Sequence, residues 1–112
     1  MSKSKEYKEK LYKIVKLPSG IEFKVKAVGP LRIAQIMSKE GLTTKDLSVG
    51  SNTFNKHLLV YSVVDPILTL EDTDDEDKLS VLDLTNDDAT FLINEIIDFS
   101  KLRKTDPLPK QT

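Results

Sequence analysis

Residues 71–77, Glu-Asp-Thr-Asp-Asp-Glu-Asp, are the densest group of potential ligands in the chain, and calcium is the chemistry they invite. Asp72, Asp74, Glu76 and Asp83 fall at offsets one, three, five and twelve of an EF-hand loop. Lys78 at offset seven is tolerable, because a backbone carbonyl serves there, but offset six is Asp77 where the sharp turn needs glycine. The segment before the run also reads as extended, not helical. The run is therefore expected to be an exposed, self-repelling loop without a bound metal. His57 is the single histidine in a chain with no cysteine, so it lacks partners for a zinc site or a nucleophilic dyad. It reads as a core or helix-face residue. Asp87 and Asp88 are adjacent on a helix and point in different directions, which suits helix-start charges and not a general acid/base couple. Ser19-Gly20 is a turn, and no glycine-rich phosphate loop exists. These residues point away from an enzyme and from any cofactor, and toward a binding module.

Charge is segregated along the chain although the formal net charge is only −1. Residues 1–30 hold eight Lys against three Glu, whereas residues 65–98 hold twelve Asp or Glu against the single Lys78. Beyond Ser100 the chain turns basic again with Lys101, Arg103, Lys104 and Lys110. Such polarity steers a partner, or neighbouring copies, at low salt, and fades as the Debye length falls to roughly 10 Å or less. The plain alternative is a solvated charged surface. Lys13, Lys16, Lys24 and Lys26 can line one hairpin surface, but a pI near 5.8 and an acidic second half argue against a nucleic acid partner. No apolar run approaches the roughly 18–20 residues of a membrane span, and the first residues are polar, so a cytoplasmic protein without a membrane partner is expected.

The elements that would position any site make one α+β domain over residues 11–102, between a basic, flexible segment 1–10 and a flexible tail 103–112. Residues 1–10 show no apolar periodicity, so they read as mobile or as the frayed start of a strand. A hairpin over 11–28 turns at Pro18-Ser19-Gly20, and its second strand alternates Ile21, Phe23, Val25 and Ala27 with Glu22, Lys24 and Lys26. The lysines face outward and discourage edge-to-edge association. Pro30 opens a helix over 30–40 that Gly41 stops, with an apolar stripe of Ile33, Ile36 and Met37. A short helical turn after Thr43 or Thr44 follows. Ser51 or Asn52 caps a second helix over 52–64, expected to be the most buried element, which Asp65-Pro66 breaks. A short strand is expected near 67–70. Leu79, Val81, Leu82 and Leu84 then return the chain to the core. Thr85 and Asp88 resemble a capping box for a third helix over 86–102, whose stripe is Ala89, Leu92, Ile93, Ile96, Ile97 and Phe99.

Taken in order, three pieces carry a resemblance: Val15-Lys16-Leu17-Pro18-Ser19-Gly20 between two strands, Val63-Val64-Asp65-Pro66 closing a buried helix, and Leu82-Asp83-Leu84 leading to a helix that ends Ile96-Ile97-Asp98-Phe99-Ser100. Over about residues 13–100 the chain resembles the small tail assembly chaperones of long-tailed bacterial viruses and related prophage elements. Where such proteins often have a clearer proline-bounded segment after the first helix, this chain has residues 39–50. The resemblance implies a non-catalytic factor of the host cytoplasm that binds the helical tape measure protein, keeps it soluble and helps recruit tail tube protein. A helical client needs an apolar surface that can be uncovered, and Ile33, Ile36, Met37 and Leu42 are the candidates, with ordinary core packing as their alternative. The competing classes are a structural virion component, such as a head-tail connector or tail completion protein, and a generic protein-binding regulatory domain whose acidic run mimics nucleic acid.

Overall fold

A computed structural model describes residues 2–42 and 51–101. The turn anticipated after Thr43 or Thr44 and the tail 103–112 lie outside the described residues. The chain is α+β: helix α1 (Lys3–Lys10), strands β1 (Tyr12–Lys16) and β2 (Glu22–Lys26), helices α2 (Pro30–Glu40) and α3 (Asn52–Ser62), strands β3 (Val63–Asp65), β4 (Ile67–Thr69) and β5 (Lys78–Ser80), a 3-10 turn (Val81–Asp83) and helix α4 (Asn86–Ser100).

The hairpin forms where the alternation placed it. Tyr12 pairs with Lys26 and Lys16 with Glu22, and the turn closes with the Gly20 amide donating to the Leu17 carbonyl at 2.8 Å. Gly20 has φ 94°, the left-handed region that a Cβ would disfavour. Phe23 and Val25 are buried as the alternation requires, and Ala27 is half-buried. Ile21 is not part of that buried face: it precedes the first residue of β2 and is exposed. The lysines of β2 also do not guard an edge. β2 is the central strand of a three-stranded antiparallel sheet ordered β1-β2-β3, with β1 and β3 at its margins.

β3 arises because the apolar run of α3 changes geometry at Ser62. The helix ends there and not at residue 64, and Val63 continues in extended conformation beside Val25. The Ser62 hydroxyl, wholly buried, donates to the Lys26 carbonyl at 2.5 Å, so helix end and strand are joined by a satisfied buried polar group. Pro66 separates β3 from β4, which pairs in parallel with β5. A parallel pair ordinarily needs a crossover of about a dozen residues. Here residues 70–77 suffice, since three-residue strands, about 10 Å long, leave little distance to recover.

Residues 3–10 form a helix and not the start of a strand. Ser2 caps it by accepting from the Lys5 amide at 3.2 Å, and Glu6 and Lys10 pair one turn apart at 4.0 Å. None of its residues is buried. Among the described residues no helix is long and apolar enough to cross a membrane.

One core joins these pieces: Val15, Phe23 and Val25 from the hairpin, Phe54, Leu58 and Leu59 from α3, and Leu92, Ile96 and Ile97 from α4. α3 is central, touching α4, β2, β3, β4 and the 3-10 turn. Leu82, expected in the core, is exposed; Val81 fills the core from the same turn. The hairpin lies along α4 and is fastened near both of its ends. The Asp88 carboxylate accepts from the Ser19 amide at 3.1 Å, the Ser100 hydroxyl accepts from the Val28 amide at 2.9 Å, and Lys13 pairs with Glu95 between them at 3.1 Å.

Candidate functional site

The carboxylates of residues 71–77 have different partners: Glu71 lies 3.9 Å from the Lys56 ammonium of α3, and Asp75 bonds within its own loop. Asp75 accepts from the Asp77 amide at 2.9 Å and pairs with the Lys78 ammonium at 3.9 Å, while the Thr73 hydroxyl accepts from the Asp75 amide at 3.1 Å. Among the described residues no three His, Cys, Asp or Glu side chains are grouped so as to hold a metal ion. Asp87 and Asp88 diverge. Asp87 is exposed at the start of α4, whereas Asp88 is buried against the hairpin turn and its amide donates to the Thr85 capping hydroxyl at 3.3 Å. The return bond of a capping box is not made; the Asp88 carboxylate accepts from Ser19 instead.

The feature with a geometry suited to binding is the seam between α2 and α3. α2 begins at Gly29 without a side-chain cap, carries Pro30 in its first turn, and ends at Gly41, whose φ of 66° permits the left-handed C-cap. Ile33, Ile36, Met37 and Glu40 fall at i, i+3, i+4 and i+7, one face of the helix. The structure brings the four sequence-predicted residues to one side but not to one surface. Ile33 and Ile36 are 2% and 3% exposed and belong to the core, while Met37 and Leu42 are partly buried at its margin. Leu31, on the opposite face, is 86% exposed.

Val28, Ile33 and Ile36 meet Phe54, His57 and Leu58 of α3 around a void of about 10 Å3, less than a water molecule needs to settle with its hydrogen bonds made. No preformed groove exists there, so anything that binds these side chains must first displace α2. Burial of the two isoleucines holds the helix with roughly 1.5–3 kcal/mol each.

The C-terminal end of the seam is polar, and periodicity did not single it out. Glu40 accepts from the Tyr61 hydroxyl at 3.1 Å through Oε2 and lies 3.8 Å from His57 Nε2 through Oε1. His57 Nδ1 sits 2.9 Å from the Thr53 carbonyl, which assigns the proton to Nδ1 and turns Nε2 toward Glu40. That contact is an ion pair only when the imidazole carries both protons. Lys39 adds its ammonium 5.8 Å from the Tyr61 ring centre. Glu40 thus ties the last turn of α2 to α3 through the Tyr61 hydroxyl, with His57 beside it. The signal that would have found it is its position four residues after Ile36, on the continuation of the apolar stripe. His57, expected as a core or helix-face residue, is buried in the seam beside Ile33 and Ile36. Comparison with known proteins adds no relative: no family model, curated protein or solved structure matches the chain.

Proposed function

We propose that this chain is a non-catalytic tail assembly chaperone that binds the tape measure protein in the host cytoplasm, keeps it soluble, and assists tail tube assembly by recruiting tail tube protein. The order of the hairpin turn, the Val63-Val64-Asp65-Pro66 helix stop and the Leu82-Asp83-Leu84 lead into α4 supports the family reading. The observation that carries the mechanism is the construction of α2, a short helix laid over an apolar seam and held by two buried isoleucines and the Glu40 contacts. Swinging it aside exposes Val28, Phe54 and Leu58 together with Ile33 and Ile36, an apolar strip of the kind an amphipathic helix occupies. Uncovering the two isoleucines costs on the order of 3–6 kcal/mol, and the surfaces of Val28, Phe54 and Leu58 exposed with them add to it. A client helix that reburies the strip offsets that cost. Met37, half-buried at the margin, adapts its unbranched side chain to whichever client surface arrives.

Co-expression with a tape measure protein tests the reading. The client is expected to move to the soluble fraction and co-purify, and Met37→Asp, with the fold retained by circular dichroism, is expected to abolish both. A client that stays insoluble beside a well-folded chain would overturn the proposal in favour of a structural virion component, which would then be present in purified particles.

A further inference from the structure

Two clefts lie at opposite ends of α4, and their charged linings differ in sign. At the C-terminal end α1 walls a cleft of about 540 Å3 whose charged residues are Lys10, Lys26 and Arg32. At the N-terminal end a cleft of about 430 Å3 has Ile21, Leu79 and Leu84 in its lining and carries Glu76, Asp77 and Asp83, with Lys78 as its single cation. Lys78 is already paired to Asp75. The pins at Asp88 and Ser100 hold the two ends about 18 Å apart along the helix.

α1 is the unexplained element at the basic end. It has eight residues, buries none of them, and is shorter than the roughly 12–15 residues at which an isolated helix becomes even marginal in water. Its Tyr7, 70% exposed, lines the basic cleft together with Lys10 and has Lys3 and Lys10 one turn away on either side, while Lys5, Lys8 and Glu9 line a groove on another face and Glu6 pairs with Lys10. An amphipathic aromatic side chain flanked by Lys3 and Lys10, with Lys26 and Arg32 across the cleft, is the chemical complement of an apolar floor edged by carboxylates.

We propose that the Tyr7 face of α1 of one copy docks in the acidic cleft of a second copy, with Tyr7 on Ile21, Leu79 and Leu84 and with Lys3 and Lys10 opposite Glu76, Asp77 and Asp83. The two surfaces are different patches at opposite ends of the chain, so the contact is head-to-tail and propagates as a row or ring of copies instead of closing as a two-fold dimer. The α2–α3 seam takes no part, and the contact stands or falls independently of any client.

Sedimentation of the isolated chain over a concentration series tests it. At about 10 mM salt, where the Debye length is roughly 30 Å, the average mass is expected to rise to that of two or more chains; at about 1 M, with a length of roughly 3 Å, it is expected to return to one. Lys3→Glu with Lys10→Glu, and separately Glu76→Lys with Asp77→Lys, are each expected to stay monomeric alone and to associate when mixed, since each then offers the other a complementary end. Tyr7→Ser, at an exposed position that leaves the core intact, is expected to weaken association at every salt concentration. A wild-type chain that remains monomeric at low salt, or reversed variants that fail to associate on mixing, would overturn the proposal.

Discussion

The hairpin and α4 are fastened to each other along their length, whereas α2 is fastened to α3 by two buried side chains and one terminal carboxylate. The first contact has a hydrogen-bonded pin near each end, an ion pair between them, and Leu92 and Ile96 with no exposed surface beneath. The second has Ile33, Ile36 and Glu40. Both regions are apolar seams between neighbouring elements, so apolar content does not separate them. What separates them is how many independent attachments must fail before the seam opens. On that count the hairpin and α4 are expected to open only with the whole domain, and α2 to open alone.

Substitutions graded by size break or sharpen this contrast. Leu92→Ala removes a fully buried side chain from the fastened region and is expected to cost about 2–5 kcal/mol, read from the denaturant midpoint. Asp88→Ala is expected to cost about 1–3 kcal/mol, because the Ser19 amide loses its acceptor and α4 loses a carboxylate in its first turn; exchange of the Ser19 amide should rise with it. Glu40→Ala is expected to change global stability by less than about 1 kcal/mol, since its contacts are partly solvent-exposed, yet to accelerate hydrogen exchange in α2 selectively. Lys13→Ala is the smallest, about 0.2–1 kcal/mol at low salt and vanishing at high salt, because the Lys13–Glu95 pair is half-exposed. If Glu40→Ala instead lowered stability as much as Leu92→Ala, the two regions would be one cooperative unit and the contrast would fail.

Legibility in the sequence cuts across this contrast, because element boundaries were readable in both regions. Alternation gave β2, Pro30 and Gly41 bracketed α2 to the residue, and Thr85 marked the start of α4. Ile33, Ile36 and Met37 were readable as one face, but a 3.6-residue period reports only that a face is apolar, not whether it meets the core or a partner. Their near-complete burial at Ile33 and Ile36 comes from Phe54 and Leu58, distant in sequence. β3 stayed hidden because Val63 and Val64 prolong the apolar run of α3, and the switch depends on the Ser62 hydroxyl reaching the Lys26 carbonyl across the fold. α1 stayed hidden for the opposite reason: with no buried face it has no periodicity to read, and its visible cues are the Ser2 cap and the Glu6–Lys10 pair. The pairing of β4 with β5 is parallel and three residues long, too short to leave a pattern. Glu40 was overlooked because a polar residue ending an apolar stripe looks like surface.

Residue-resolved hydrogen exchange of the free chain measures the separate opening of α2 most directly. The amides of α2 from Ile33 to Glu40 are predicted to exchange through a local opening several kcal/mol easier than that of Leu92, Ile96 and Ile97 in α4. Equal protection of the two helices, moving together with denaturant, would contradict it and leave Ile33 and Ile36 as core residues only.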